Sequence, residues 1–353
     1  MILDAARVMI PFVAAFVIGI AIAPTITHYL YKYKAWKKKG GKVKGMGDEL
    51  GTPMFNELHK EREVSTPRMG GIVVWASVLI TALLITLLGV FFGEPFASFG
   101  FVNREQTWLP LFALMVGAVV GLIDDMLEVV RSEGGLSLRW RLLVVAALGA
   151  FTGWWFYAKL GVSTIGIPFM GALPLGAFFI LFVVLVMLAL YAGGVIDGID
   201  GLAGGIFAII FLVYAGIAFA QQQYSLAAFA ATVSGALFAF LWFNIPPARF
   251  YLSETGTMAL TVALAVTAFS TDTLGEGVGV FVLPIIALPL TVTVATSFIQ
   301  VVSKKVFKKK VFRIAPIHHH FEAIGWPAYK VTMRYWVITI IAGVFGLAIA
   351  LLK

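Results

Sequence analysis

Ten stretches of the chain are almost wholly apolar, with shorter polar segments between them. They lie near residues 8–31, 69–92, 107–123, 140–158, 175–193, 202–220, 225–243, 255–271, 279–302 and 335–352. Each runs for about 17–25 residues, enough for a helix to cross a hydrocarbon layer of about 30 Å. None alternates apolar and polar side chains with a period of two, as the strands of a lipid-facing barrel do. Inside lipid every backbone polar group needs a partner within the protein, which leaves helices. The pattern predicts an all-α polytopic membrane protein with about ten transmembrane helices. It forms a single integral-membrane domain over residues 1–353.

Composition agrees with this pattern. Of the 353 residues, 60% are hydrophobic and only 12% charged, against roughly 25% charged in soluble domains. Mean hydropathy is +0.96. There is no cysteine, which excludes disulfides, thiolate metal sites and a cysteine nucleophile. The first apolar run lacks a basic flank before it and a small-residue cleavage site, so it reads as a retained span. A net charge of +8 in a soluble chain would suggest nucleic acid; here its placement describes topology instead.

Segment 32–68 holds ten Lys or Arg, 303–334 eight, 124–141 three and 244–256 one, together 22 of 26. Only Arg7, Arg104, Lys159 and Lys353 fall on the other face. The positive-inside rule puts the basic loops in the cytoplasm and both termini outside. The lysine clusters at 37–39 and 304–310 read as topology and headgroup signals. The prolines at 284 and 289 predict a kink in the ninth span. The Gly- and Pro-rich segment 161–174 predicts a turn or hairpin.

The same alternation places the notable polar residues on the cytoplasmic side, where they predict one site. Asp124 and Asp125 are adjacent at the expected end of the third span. Two neighbouring carboxylates repel unless a cation or a proton separates them; a helix-end cap is the plainer reading. Asp197 and Asp200 are spaced i, i+3 in a glycine-rich string, so on a helical turn both face one way. Bare backbone beside carboxylates suits phosphate and a hard divalent cation. Helix packing alone explains those glycines but not the aspartates. Asn244, Arg249 and Glu254 surround a Pro-Pro turn, where Ser253 or Thr255 is placed to cap the next helix. His318, His319 and His320 stand consecutively before the tenth span. At most two of them can act together from one helix, and their setting favours anion or nucleotide contacts over zinc.

Together these segments resemble the phospho-N-acetylmuramoyl-pentapeptide transferase family, within the polyprenyl-phosphate N-acetylhexosamine-1-phosphate transferases. The resemblance runs from Thr66-Pro67-Arg68-Met69-Gly70-Gly71 to Trp336. Its most specific part is the histidine string with Phe321-Glu322 and Gly325-Trp326. It implies transfer of phospho-MurNAc-pentapeptide from UDP-MurNAc-pentapeptide to undecaprenyl phosphate at the bacterial inner (plasma) membrane. The products are lipid I and UMP. It implies Mg2+ as cofactor, held by Asp197 and Glu254, and catalytic roles for Asp124, Asp125, Asp197 and Glu254. Asn244, Asp200, His318, His319, His320 and Arg141 fall to substrate binding. Partners are the two substrates and the lipid bilayer, with a homodimer as in the family. The chain departs from the family pattern at Gly194 (usually Asn), Glu254 (usually Asp), Arg68 (usually Thr), Glu63 (usually basic) and Glu128 (usually Lys). A related transferase using UDP-GlcNAc or another UDP-sugar is the nearest alternative. An ion-coupled transporter and a catalytically impaired lipid-binding relative are the alternatives of other classes. A transporter calls for midplane charges and repeats that the chain does not display.

Overall fold

The computed structural model describes residues 2–38, 63–103, 107–131, 134–274 and 277–352. They form a helical bundle. The helices are α1 (Ile2–Lys32), α2 (Gly71–Phe92), α3 (Trp108–Arg131), α4 (Leu138–Trp154), α5 (Phe178–Gly193), α6 (Leu202–Ala220), α7 (Tyr224–Asn244) and α8 (Ser253–Phe269). After these come α9 (Gly279–Ile286), α10 (Leu288–Phe307), α11 (Ile317–Ala323) and α12 (Ala328–Leu351). Nine described helices are long and apolar enough to cross a membrane, so the chain is a multi-pass membrane protein. Every expected span coincides with a helix, except that the ninth, 279–302, is divided between α9 and α10. The eighth is α8, only 17 residues long. It is surrounded by protein, and every residue from Thr255 to Phe269 is buried, so lipid thickness does not dictate its length.

Lipid tails are as apolar as leucine, so these helices associate through close packing. The interface of α1 with α7 illustrates it: a Cβ on Gly19 would strike Ala239, and one on Gly235 would strike the Phe12 carbonyl. Buried hydroxyls in α8 are satisfied within the helix. Thr257, Thr261 and Thr267 each donate to the carbonyl four residues back, at 3.1, 2.8 and 2.8 Å.

The predicted kink and hairpin are both present. Ala287 (φ −94°, ψ 33°) separates α9 from α10 between the two prolines. A two-stranded antiparallel hairpin pairs β1 (Thr164–Ile167) with β2 (Gly171–Pro174). Asp272 clamps it to the bundle by accepting from Gly166 N–H (2.8 Å) and Val280 N–H (3.0 Å).

Three expectations are corrected. Helix α3 continues to Arg131, so Asp124 and Asp125 lie inside it, not at its end. Both carboxylates meet cations or N–H donors from other segments, and the helix carries them without terminating. Asp197 and Asp200 are not on a helical turn. They lie in an irregular connection between the 3-10 turn Gly194–Ile196 and α6, closed by Gly201 in the left-handed region at φ 75°. Helix α12 begins at Ala328, a full turn and more before residue 335.

Candidate active site

The first turn of α8 is the meeting point. Gly121 of α3 lies so close that a Cβ there would strike the Glu254 carbonyl; this proximity brings Asp124 and Asp125 alongside. Residues 67–71 run beside the connection from α7. Tyr251 N–H donates to Pro67 O (2.8 Å), and the N–H groups of Gly70 and Gly71 to Tyr251 O (2.8 Å) and Leu252 O (3.1 Å).

Ser253 joins these segments. It adopts a left-handed conformation (φ 53°) that is unusual for a residue with a side chain. In that conformation every polar group it carries is used. Its N–H donates to Asp197 Oδ2 (2.7 Å), its hydroxyl donates to Asp125 Oδ2 (2.6 Å), and the same oxygen accepts from Met69 N–H (2.8 Å). One serine thus ties α2, α3 and the turn before α6 together.

The two adjacent aspartates have different surroundings. Asp125 is wholly buried. Arg68 Nε reaches its Oδ1 at 3.1 Å, and Ser253 Oγ, Thr255 N–H and Thr255 Oγ1 reach its Oδ2 at 2.6, 2.8 and 2.6 Å. It caps α8 from another helix, the task the sequence assigned to Ser253 or Thr255, and its charge favours the positive helix end. Asp124 accepts one backbone bond, from Leu136 N–H, and lies 3.6 Å from Arg141.

Arg141 Nη1 also donates to Glu254 Oε1 at 2.6 Å. The other oxygen, Oε2, is buried with no hydrogen-bond partner among the described residues. Asp197 lies across Ser253 from this group. Burial, opposed by the Ser253 N–H and the Arg68 charge, pushes its carboxyl up to about 6. The histidines arrive from the far side. A Cβ on Gly198 would strike Nε2 of both His319 and His318. His319 Nδ1 bonds Glu322 Oε2 at 2.8 Å; a carboxylate only accepts, so Nδ1 carries the proton and Nε2 faces the aspartate turn.

Most sequence-expected residues therefore converge. Asp124, Asp125, Asp197, Glu254, Arg141, His318 and His319 form one continuous cluster. Asn244 and Asp200 belong to its frame. The Asn244 amide accepts from Gly201 N–H (2.9 Å) and donates to Phe250 O (2.7 Å), while Asp200 Oδ2 accepts from Ala248 N–H (3.1 Å). His320 turns elsewhere: its Nδ1 accepts from Arg313 N–H at 3.1 Å and its ring packs on Phe312. Sequence reasoning missed two cations. In sequence, Arg68 is only a departure from a pattern, and Lys37 reads as part of a headgroup signal. Lys37 instead bonds Glu63 (3.1 Å) and Glu128 (3.2 Å). Its place beside a motif-bearing loop was the available signal. Lys39 lies outside the described residues.

The donor set suits a metal ion. Asp124, Asp125 and Glu128 bring carboxylate oxygens within 4.8 Å of one another. However, Asp125 and Glu128 are already held by Arg68, which lies 3.1 and 3.0 Å from them. The Glu254 oxygen without a partner and the sparsely bonded Asp124 and Asp197 are the carboxylates with lone pairs left to offer, while among the described residues only Asp124, Asp125 and Glu128 lie close enough together to share one ion.

Comparison with known proteins agrees with this chemistry. Residues 107–272 match the family described as glycosyl transferase family 4. The chain is 31% identical over 344 residues to the phospho-N-acetylmuramoyl-pentapeptide-transferase of Latilactobacillus sakei, covering 96% of this chain and 97% of the relative. The chain belongs to that family. The enzyme of the same name from Geobacillus sp. WCH70 is 32% identical over 293 residues, 82% of this chain and 85% of its own length. That of Geobacillus thermodenitrificans is 30% identical over 349 residues, 97% of this chain. The family departure at Gly194 has a local counterpart. A Cβ there would sit 3.2 Å from Thr257 Cβ, so any side chain at this position would press on α8.

Proposed function

We propose that the chain transfers phospho-MurNAc-pentapeptide from UDP-MurNAc-pentapeptide to undecaprenyl phosphate at the cytoplasmic face of the bacterial plasma membrane, as one integral-membrane domain. A lipid-phosphate oxygen attacks the sugar-bearing phosphorus of the diphosphate. The bond from that phosphorus to the bridging oxygen breaks, UMP leaves with the electron pair, and lipid I carries the new diphosphate. The observation that carries this reading is the convergence of Asp124, Asp197, Glu254, Arg141 and two imidazoles around one helix start, in a chain with near-full-length relatives of that name.

Asp197 and Glu254, with Asp124 reaching Glu254 across Arg141, would hold Mg2+. The ion would supply charge neutralisation at the diphosphate. Arg141 presents a guanidinium between Asp124 and Glu254, where it offsets phosphate charge and keeps both carboxylates apart. His318 and His319 direct ring nitrogens at Gly198, whose lack of a side chain lets both imidazoles pack close against the aspartate turn. Asp125 acts by capping α8 and fixing Ser253; it is not the base, because its oxygens are already occupied. Asn244 and Asp200 set the aspartate turn.

The test is purified protein with undecaprenyl phosphate, Mg2+ and either UDP-MurNAc-pentapeptide or UDP-GlcNAc, reading UMP and the lipid product. Product from the muramyl nucleotide alone is expected. Product from UDP-GlcNAc alone, or no UMP from either, overturns the reading.

A further inference from the structure

Five charged side chains alternate in sign along a path into the site. Glu63 pairs with Lys37 (3.1 Å), Lys37 with Glu128 (3.2 Å), Glu128 with Arg68 (3.0 Å) and Arg68 with Asp125 (3.1 Å). The five come from three separate stretches: the segment after α1, the approach to α2, and α3. All are largely buried, with side-chain exposures from 0 to 19%. Exposed ion pairs are worth little, but a buried charge that loses its partner is costly, so such a run stands or fails as a unit. It ends on Asp125, whose other oxygen holds Ser253, whose N–H holds Asp197. Burial works against the Arg68 charge, yet Asp125 and Glu128 outweigh it and hold its proton above the ordinary arginine range.

From this geometry we propose that Arg68 is a positioning residue for the phosphoryl-transfer centre, and that Glu128, backed by Lys37 and Glu63, sets its place. Arg68 clamps Asp125 so that Ser253 and Asp197 keep their register, and its charge lies among Asp125, Glu128 and Asp197. This assignment rests on the transferase reading above. A cation arrives from the approach to α2, so an anion is required on α3 to receive it.

The geometry specifies a rescue. Carboxylate oxygens of Asp125 and Glu128 lie within 4.8 Å of each other, one turn apart on α3. A lysine at 128 could therefore hold Asp125 from within the same helix once Arg68 is removed. The experiment compares the unaltered protein with Arg68→Thr, Glu128→Lys and the double variant. It reads kcat, KM for the nucleotide sugar, the Mg2+ concentration giving half-maximal rate, and the melting temperature in detergent.

Arg68→Thr is expected to lower kcat roughly tenfold or more and raise the Mg2+ midpoint with KM little changed, and, because it leaves buried Asp125 and Glu128 without their shared cation, to lower the melting temperature as well. Glu128→Lys faces Arg68 and Lys37 with a third cation and is expected to lose more. The double variant is expected to return within roughly threefold of the unaltered kcat, a strongly non-additive result. Arg68→Lys keeps the charge but not the two-armed reach, and should fall between. If the double variant is no better than the worse single change, if the effects simply add, or if activity tracks melting temperature with no shift in the Mg2+ midpoint, the assignment is wrong. Should Arg68→Thr fail to fold, a folded and active double variant still supports it, and an inactive one overturns it. Unaltered protein that releases no UMP would instead count against the transferase reading.

Discussion

At the scale of single residues, the aspartate pair is the instructive case. Adjacent in sequence and identical in chemistry, Asp124 and Asp125 have separate tasks because their partners come from different places. Asp125 holds a buried arginine and the start of α8. Asp125→Ala leaves Arg68 with Glu128 as its remaining paired carboxylate, uncaps that helix and frees Ser253, and is expected to cost on the order of 3 kcal/mol of stability, read as a lower melting temperature in detergent. Asp124→Asn keeps an oxygen for Leu136 N–H and removes only the charge. It should leave melting nearly unchanged and cut kcat by about 100-fold or more. Asp197→Asn still accepts from Ser253 N–H, so the fold should survive while UMP release is abolished; full activity in that variant would remove Asp197 from the metal site. Chelating Mg2+ from the unaltered protein should stop turnover, and adding the ion back should restore it. The identity of these polar residues was legible in the sequence. Their division into occupied and open carboxylates was not, because the deciding donors lie as far as 130 residues away.

At the scale of elements, short-range rules worked where the cause was local. Two prolines predicted a kink, and the helix is interrupted between them at Ala287. Glycines and prolines after α4 predicted a hairpin, and one formed. The rules fail at α3, where adjacent charges mark a boundary in sequence but partners from other segments let the helix continue. They fail again at residues 197–201, where an i, i+3 spacing suggests a helix but the chain turns irregularly. That turn is held from outside. Asn244 accepts from Gly201 N–H, Thr332 donates to the Asp200 carbonyl (3.1 Å) and Trp336 Nε1 to that of Gly201 (3.1 Å). Gly198 within it has no room for a side chain. Gly198→Val should push both imidazoles away and reduce kcat by about 100-fold or more, with the melting temperature held by the surrounding bundle. Normal kinetics in that variant would mean the histidines do not act from this position.

At the scale of the molecule, the bundle serves to bring four distant stretches to one end of α8. The positive-inside reading assigns that end to the cytoplasm, and the absence of cysteine makes this directly testable. Single-cysteine variants at Lys309→Cys and Gln222→Cys in intact cells should react oppositely with an impermeant maleimide. Gln222→Cys should label from outside, and Lys309→Cys only after the membrane is opened. The reverse pattern would invert the topology and remove the cytoplasmic assignment of the site.

Hydrocarbon thickness and the need to saturate the backbone act on windows of about 20 residues. The order and number of spans, the kink and the hairpin were therefore already decided by local stretches of the chain. Which carboxylate stays open, which histidines face the aspartate turn, and how Arg68 and Lys37 enter the site depend on neighbours supplied by other helices. A buried charge is defined by the partners packed around it, and only the folded bundle chooses those partners.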